Sequence, residues 1–415
     1  MHKKLIVSVA LLFAAMFSQM SKAEEKLDVA FLVASADQRL VLTELINEFA
    51  NSHPDINVSY TLFNDTQYKK AVKKWLNQGY GPDVINWQAG ERLMHYVRTG
   101  KVQALDTLWK KHHLETQFLP NTKAAITWQG SVYAIPVTYY YWGMYYRKSL
   151  FKKYGLTEPT TWQELLSVAK TLKANNITPF TLGTRYHWPA AAWFDYLNLR
   201  INGLAFHQRL LSGHIPFTDN RVRQVFIHWK ELIDKDYFID ESEHLMWDEA
   251  MFPLFRKQAA MTLIGTFLNG RIPDEQKPDF GFFRFPIINP QIGVFEDAPL
   301  DVFILPYYSA YNSKIERFIS FIAGASFQQS LNKTLGTLSA NINAEQGGNE
   351  VLDISYTMHQ QADGTANYFD RDAPVGIAEQ SIEVFSAFLT QPDIDSTLLK
   401  LEAIRKQIGH AASTN

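Results

Sequence analysis

The 415-residue sequence predicts an α/β fold with two lobes. Segments with the patterns of strands and helices alternate over residues 27–85, and the same alternation resumes after residue 160. No tandem repeat, low-complexity tract or flexible linker separates the two stretches. We therefore expect the chain to cross between the lobes more than once, with crossings near Pro136, Leu300 and Leu338.

The first lobe is predicted to begin with a buried strand over residues 27–34. A helix follows and ends at His53-Pro54, and an alternating strand occupies residues 56–62. A second helix ends at Gly79, before a short apolar strand at Val84-Ile85. Ligands of open α/β sheets bind beyond the carboxyl ends of the strands. The candidate ligand residues in those places are Asp37, Asn64, Asp65 and Trp87.

The second lobe contains a clearly marked helix start after Pro159. Thr161 is placed to accept the amide of Glu164, and Glu164 to reach back to the amide of Thr161, which is a capping box. Later apolar patterns predict strands over residues 178–183, 260–265, 282–288 and 302–306, and helices over residues 222–233, 251–256, 312–331 with a restart around Ala325, 382–389 and 398–408. The crossings assign residues 24–137 and 301–338 to the N-terminal lobe, and residues 138–300 and 339–415 to the C-terminal lobe.

The first 23 residues have the pattern of a secretory signal. Lys3 and Lys4 precede an apolar run over residues 5–17, and Ser21-Lys22-Ala23 offers a small-x-small cleavage site. The run is shorter than the roughly 20 residues that span a bilayer. The sequence contains no cysteine, so a lipid-modified cysteine and disulfides are both excluded. We expect an exported, soluble periplasmic protein without a lipid anchor.

The distribution of charge argues against two classes of partner. The formal net charge is −2, and the basic residues are interspersed with acidic ones rather than gathered in a block. Nucleic acids and anionic membranes are bound through concentrated positive charge. The sequence therefore predicts no nucleic-acid partner and favours a neutral ligand.

Catalytic signatures are scarce. The sequence has no phosphate-binding loop, G-x-G-x-x-G, G-x-S-x-G or H-E-x-x-H motif, and no cofactor is predicted. Ser149 and Lys152 have Ser-x-x-Lys spacing without a Lys-Thr-Gly partner, so we interpret them as part of an ordinary helix. His112-His113 has no further spaced ligand, so no metal site is predicted. A secreted glycoside hydrolase stays an alternative, with paired acids drawn from Asp83, Asp195 and Asp301.

Flat aromatic side chains are frequent, at 14% of the chain with ten Trp residues. Six of the eight residues from Tyr139 to Tyr146 are aromatic, too many for one strand face to bury. A sugar presents apolar C–H faces and a ring of hydroxyls, so its site combines aromatic faces with carboxylates, amides or Arg. The candidate residues for such a site are Trp87, Tyr140, Trp142, Arg185, Trp188, Trp193, Asp195 and Phe267.

Three motifs between residues 130 and 165 carry a family resemblance. They are G-x-x-Y-x-x-P over residues 130–136, Tyr-Arg-Lys-x-x-Phe over residues 146–151 and P-T-T-W-x-E-L over residues 159–165. This stretch resembles the corresponding segment of family 1 extracellular solute-binding proteins, the sugar-capturing subunits of ABC importers. Shorter similar stretches at residues 100–106, 177–180, 217–220, 255–265 and 312–329 extend the resemblance over almost the whole mature chain.

The resemblance implies a two-lobed periplasmic-binding-protein fold, type II-like, with a ligand cleft between the lobes. It implies a monomeric, non-enzymatic protein that captures a sugar or small oligosaccharide by lobe closure and delivers it to the permease subunits of an ABC importer. A periplasmic sensory subunit for a histidine kinase or chemoreceptor is the alternative, with the same fold and site.

The resemblance also implies roles for particular residues. Family stacking positions correspond to the Trp188 to Trp193 region and to Phe267, which stands where members commonly have Trp. Family polar positions correspond to Asp37, to Asn64-Asp65 and to Asp301. Arg147 stands where members commonly have Asn, a change that we expect to alter only local packing.

Overall fold

The computed structural model describes residues 25–33 and 35–413, without the side chains of Glu25, Asp65, Thr66 and residues 408–413. The predicted signal and Ala34 lie outside the described residues. The strands are β1 (Glu25–Leu32), β2 (Ile56–Phe63), β3 (Val84–Gln88), β4 (Thr127–Trp128), β5 (Ser131–Val132), β6 (Ile135–Tyr139), β7 (Trp142–Arg147), β8 (Thr178–Phe180), β9 (Ala259–Gly265), β10 (Phe280–Phe283), β11 (Phe295–Asp297), β12 (Leu300–Ile304), β13 (Leu338–Ser339) and β14 (Gly364–Ala366).

The helices complete the α/β architecture. They are α1 (Ala36–Ser52), α2 (Asp65–Gln78), α3 (Glu91–Arg98), α4 (Asp106–Lys111), α5 (Pro120–Ala124), α6 (Lys148–Tyr154), α7 (Trp162–Ala174), α8 (Pro189–Asn202), α9 (Leu204–Leu211), α10 (Asn220–Asp234), α11 (Met251–Phe255), α12 (Ser313–Ala323), α13 (Ala325–Leu335), α14 (Glu350–Gln361), α15 (Phe369–Asp372), α16 (Val375–Thr390) and α17 (Ile394–Ser413). Among the described residues, no helix is both long and apolar enough to span a membrane.

The larger sheet has six strands in the order β13-β6-β12-β3-β1-β2. β1 pairs in parallel with β2 and β3, so that Val29 lies between Tyr60 and Val84. β12 runs antiparallel to both β3 and β6, and β13 runs antiparallel to β6. Strands from distant parts of the chain therefore complete this sheet.

The smaller sheet has four strands in the order β10-β7-β9-β8. β7 is antiparallel to β10 and β9, whereas β8 and β9 are parallel. All residues of β7 and β9 are buried, which agrees with the continuous apolar pattern predicted for residues 260–265.

The chain passes between the sheets at residues 140–141, because β6 continues to Tyr139 and β7 begins at Trp142. This passage lies a few residues beyond Pro136. The chain rejoins the larger sheet at Leu300, the first residue of β12, and again at Leu338, the first residue of β13. Sheet membership does not assign the surrounding helices, so the lobe boundaries at residues 24–137 with 301–338, and 138–300 with 339–415, stay a prediction.

Helix ends follow the predicted local chemistry. Gly79 ends α2 in the left-handed conformation with φ at 78°, which a residue without Cβ adopts at low cost. At the start of α7, the Glu164 amide donates to Thr161 Oγ1 at 3.3 Å, and the Thr161 amide donates to Glu164 Oε2 at 3.0 Å. The predicted capping box is confirmed.

The structure differs from the predicted elements in three places. The strand predicted over residues 282–288 ends at Phe283, before Pro286, which has no amide hydrogen for a ladder. The helical stretch predicted over residues 312–331 extends to Leu335, and its predicted restart around Ala325 is confirmed, since α12 and α13 meet at Gly324. α14, α15 and the β11–β14 pair were not predicted. Ser149 and Lys152 lie in α6, as expected of an ordinary helix.

Candidate functional site

Six aromatic side chains meet where the chain passes between the sheets. We call Tyr140, Trp142, Trp188, Trp247, Phe267 and Tyr368 the aromatic cluster. Trp142 stacks on Tyr368, with ring centroids 4.5 Å and planes 20° apart. Phe267 meets Trp142 edge-on at 5.7 Å and Trp247 at 5.3 Å. The ring centroids of Trp188 and Trp142 are 5.9 Å apart, and those of Tyr140 and Phe267 are 6.2 Å apart.

The aromatic cluster has a buried base and a more open rim. Trp142 and Tyr368 are only 3% and 4% exposed. Tyr140, Trp188, Trp247 and Phe267 are half-buried and keep part of their ring surface accessible. The rim residues can therefore contact a ligand, while the stacked pair of Trp142 and Tyr368 packs beneath them and supports them.

A hydrogen-bonded charge pair borders the aromatic cluster at Tyr140. The Tyr140 hydroxyl donates to Asp301 Oδ2 at 2.7 Å, and Arg371 Nη1 donates to Asp301 Oδ1 at 2.7 Å. The Arg371 guanidinium also lies 5.7 Å from the centroid of the Tyr140 ring. Burial and the neighbouring Asp301 raise the pKa of Tyr140 well above its usual value, so its hydroxyl remains a donor.

A second ion pair joins α3 to the segment that contains Arg371. Arg92 Nη2 donates to Asp370 Oδ2 at 2.7 Å, and Arg92 also bonds to Gln88. Burial favours a raised pKa for Asp370, but the charges of Arg92 and Lys69 outweigh burial and lower it. Asp370 is therefore ionised. We call residues 367–372, which include α15, the 367–372 segment.

Gly90 allows the 367–372 segment to approach α3 closely. Its φ is 82°, and a Cβ there would lie 2.5 Å from Asp372 Oδ1 and 2.7 Å from the Arg371 carbonyl oxygen. A side chain at this position would push α3 and the segment apart. The contact brings Arg92 within reach of Asp370.

Five of the predicted site residues come together in this region: Tyr140, Trp142, Trp188, Phe267 and Asp301. Trp87 lies next to them on β3, whose residue Gln88 is paired with Asp301 of β12. The Trp87 side chain is 6% exposed and packs against Tyr68 and Tyr96. It supports the site from within the first lobe.

Three other predicted residues lie outside the aromatic cluster. Asp37 is exposed in the first turn of α1 and lines a cavity of about 420 Å³ with Arg271. Asn64 is exposed, and its Oδ1 caps α2 by accepting the Gln67 amide at 3.0 Å. Arg185 is exposed on the loop before α8. The side chain of Asp65 lies outside the described residues.

The cavity and the aromatic cluster share Arg271 as a neighbour. Its guanidinium lies 5.9 Å from the centroid of the Trp247 ring, and it also lines the cavity. Lys333 and Glu350 line the same cavity. Arg271 therefore lies between the aromatic rim and this cavity.

Trp193 and Asp195 are buried in α8, contrary to the ligand contact predicted for them. Trp193 is 1% exposed, with rings of Phe180 and Phe238 at 5.1 and 5.0 Å. Asp195 is fully buried, and its Oδ2 accepts the Phe369 amide at 2.7 Å. Every residue of α8 from Pro189 to Arg200 is buried, so helical periodicity could not indicate which face meets a cleft.

A group of buried titratable side chains lies behind the 367–372 segment. Burial and the nearby Asp297 raise the pKa of Asp195, and burial and Asp372 raise that of Asp297. Burial also raises the pKa of Asp372 to about 6. His207 Nδ1 accepts from Asn198 at 2.9 Å, so its proton is on Nε2, 3.7 Å from Asp195 Oδ1. Burial lowers the pKa of His207 to about 3, and its ring is neutral at pH 7.

Five residues of this region were not predicted from the sequence: Arg92, Trp247, Tyr368, Asp370 and Arg371. Three of these belong to the run Tyr-Phe-Asp-Arg-Asp at residues 368–372, which places two aromatic side chains directly before three charged ones, outside the predicted elements. Aromatic and charged side chains gathered in a short segment between longer helices could have indicated the site. Trp247 also lies outside the predicted elements.

The residues considered for hydrolysis and metal binding have other partners. Asp83 accepts a hydrogen bond from the Asp28 amide at 3.0 Å. Asp195 accepts one from the Phe369 amide, and Asp301 accepts one from the Arg371 guanidinium. His112 Nε2 lies 2.9 Å from Glu316 Oε1. In the part of the chain that the structure describes, no three His, Cys, Asp or Glu side chains are grouped to hold a metal ion.

Comparisons with known proteins agree with this architecture. The family model for bacterial extracellular solute-binding proteins matches residues 35–329. An ABC transporter extracellular-binding protein of Pyrococcus horikoshii is 24% identical over 321 residues, which are 76% of this chain and 71% of that protein. A multiple sugar-binding protein of Streptococcus mutans is 26% identical over 281 residues, which are 63% of each chain.

Solved structures are similar over nearly the full length. The bacterial solute receptor AcbH, described as having an exclusive preference for β-D-galactopyranose, matches with a TM-score of 0.86 and 25% identity, over 94% of this chain and 99% of that one. A chitin oligosaccharide binding protein matches with a TM-score of 0.80 and 20% identity, over 92% and 98% of the chains. The second likeness concerns the fold alone.

The buried histidine makes a prediction about the pH dependence of stability. The pKa of His207 is about 3 in the folded chain and 6.5 ordinarily. Between these two pH values the unfolded chain therefore binds a proton at this residue, whereas the folded chain does not. This contribution to stability is complete above pH 6.5 and is lost as the pH falls toward 3, at about 1.4 kcal/mol per pH unit. His207→Gln, whose side chain takes up no proton in this pH range, should remove that slope.

The measurement is urea unfolding of both proteins at pH 7, 6, 5 and 4. The difference in unfolding free energy between wild type and His207→Gln should change steadily below pH 6.5, in the direction that favours the variant at low pH. His244→Gln, at a position where the side chain is 74% exposed, is the control and should follow the wild type. Parallel curves for wild type and His207→Gln would contradict the neutral, buried imidazole.

Proposed function

The chain belongs to the family of bacterial extracellular solute-binding proteins, and from this we propose that it binds a neutral carbohydrate between its lobes and delivers it to an ABC permease. The observation that carries the proposal is the aromatic cluster beside the bonded group of Tyr140, Asp301 and Arg371. Aromatic faces suit the C–H surfaces of a sugar ring, and a carboxylate with a guanidinium suits neighbouring hydroxyls.

The charges around the cluster favour a neutral ligand. Asp301 is paired with Arg371, and Asp370 with Arg92, within 2.7 Å in each case. A neutral sugar can exchange hydrogen bonds with these groups while the opposite charges stay together. A charged ligand would have to separate a partly buried pair, which costs free energy unless the ligand replaces every lost contact.

Closure of the lobes would bring binding residues from both halves against one ligand. Asp301 lies in the larger sheet, whereas Trp188 and Phe267 come from the half that contains the smaller sheet. A sugar that touches both halves binds the closed form better than the open one and so shifts the population toward closure. In this proposal the larger sheet belongs to the lobe of residues 24–137 and 301–338.

The similar proteins support this class of ligand. The Streptococcus mutans relative is a multiple sugar-binding protein, and AcbH is a receptor for a hexopyranose. We extend carbohydrate binding and permease delivery from them to this chain. We further propose that it is a monomer in the periplasm, exported by the first 23 residues and not lipidated.

A ligand screen tests the proposal directly. Residues 24–415 would be heated in the presence of neutral mono-, di- and oligosaccharides, with uronic acids as the charged comparison. A sugar at 100 times its Kd should add about 2.7 kcal/mol of stability and raise the melting temperature visibly. Mass spectrometry should recover that sugar intact. A cleaved sugar, or shifts only with uronic acids, would contradict the proposal.

The aromatic rim makes a separate prediction. Trp188→Ala should raise the Kd of the sugar found in the screen at least tenfold, because the rim supplies a stacking face. Trp128 is also half-buried but lies in β4, away from the cluster, so Trp128→Ala is the matched control. Isothermal titration should give wild-type affinity for Trp128→Ala. Equal affinities for the two variants would exclude Trp188 from the site.

A further inference from the structure

The 367–372 segment is held from behind by one buried carboxylate. Asp195 is fully buried in α8, and its Oδ2 accepts the amide hydrogen of Phe369 at 2.7 Å. The residues on both sides of that amide belong to the site. Tyr368 stacks on Trp142, and Asp370 pairs with Arg92.

The side chain of Phe369 faces away from the site. It is fully buried, and its ring lies 4.9 Å from Phe385 and 5.7 Å from Phe194. A packed ring holds the position of this residue but leaves the peptide plane before it able to turn. The hydrogen bond to Asp195 fixes the orientation of that plane, and with it the direction of the neighbouring Tyr368.

A carboxylate at this position is costly for folding. Asp195 faces the acids Asp297, Asp370 and Asp372. Among the described residues Asp195 Oδ1 has no hydrogen-bond partner, and His207 Nε2 lies 3.7 Å from it, which is too long for a hydrogen bond. Core stability alone does not explain an acid in such surroundings. In the described part of the chain, the hydrogen bond of Asp195 goes to the Phe369 amide of the 367–372 segment.

We propose that Asp195 is a positioning residue for the binding site, acting through the Phe369 amide to set the position of Tyr368 under the aromatic rim and of Arg371 beside Asp301. The expected effect of Asp195 on ligand affinity rests on the proposed function. Its expected effect on the order of the 367–372 segment does not. Asp195 was predicted to touch the ligand. Its place behind the segment gives it an indirect role instead.

The first test needs no ligand. Hydrogen–deuterium exchange of peptides covering residues 366–373 would be compared in wild type, Asp195→Ala and Asp195→Asn. Asp195→Ala leaves the Phe369 amide without its acceptor, so exchange there should be at least tenfold faster. Asp195→Asn keeps an acceptor oxygen and should return exchange close to wild type. Wild-type exchange in Asp195→Ala would overturn the proposal. If Asp195→Ala does not fold, Asp195→Leu, which is close to Asp in size and has no acceptor atom, gives the same comparison.

The second test is the Kd of whichever neutral sugar shifts the wild-type melting temperature most. Asp195→Ala should raise this Kd at least tenfold, and Asp195→Asn should restore it to within about threefold. Thr181→Val is the control, because it removes another buried hydrogen bond, from Thr181 Oγ1 to the Ala250 carbonyl at 2.7 Å. It should lower the melting temperature and leave the Kd unchanged.

An equal rise of the Kd in Thr181→Val would overturn the proposal, since it would show a general effect of destabilisation. If no sugar binds the wild type, the proposed function fails, while the exchange experiment still decides whether Asp195 orders the segment.

Discussion

The ion pair between Asp301 and Arg371 is the interaction on which the site depends. Asp301 belongs to β12, which lies between β3 and β6 in the larger sheet. Arg371 belongs to the 367–372 segment, which packs on α8, α9 and α16 and also on α3. Tyr140, at the passage between the sheets, donates to the same carboxylate. One buried acid therefore joins the sheet, the passage and the 367–372 segment, and the aromatic cluster is built around that junction.

The local elements could be predicted from the sequence because they depend on neighbouring residues. The capping box of Thr161 and Glu164 and the helix end at Gly79 are examples. The cluster residues Tyr140 and Phe267 were also predicted, the first from the aromatic run at residues 139–146 and the second from its place after the strand at residues 260–265. In contrast, Arg371 meets Asp301 across 70 residues of chain, and α15 has only four residues. No local pattern indicates such a contact.

Trp188, directly before α8, and Trp193, within α8, illustrate the same limit. They are five positions apart, yet Trp188 contributes to the rim and Trp193 to the core. A helix that is buried on all sides has no polar face from which a direction can be inferred. Only the packing of Phe180 and Phe238 around Trp193 separates the two roles. The cost of burying Asp195 behind the site likewise depends on distant residues, and composition alone does not indicate it.

The central claim is that a neutral sugar occupies the junction of the two halves. A crystal structure of residues 24–415 with the bound sugar tests it most directly. The account predicts a sugar ring against Trp188 and Phe267, with hydroxyls bonded to Asp301 or Arg371. A sugar found only in the cavity between Asp37 and Lys333, without contact to these aromatic rings, would contradict it.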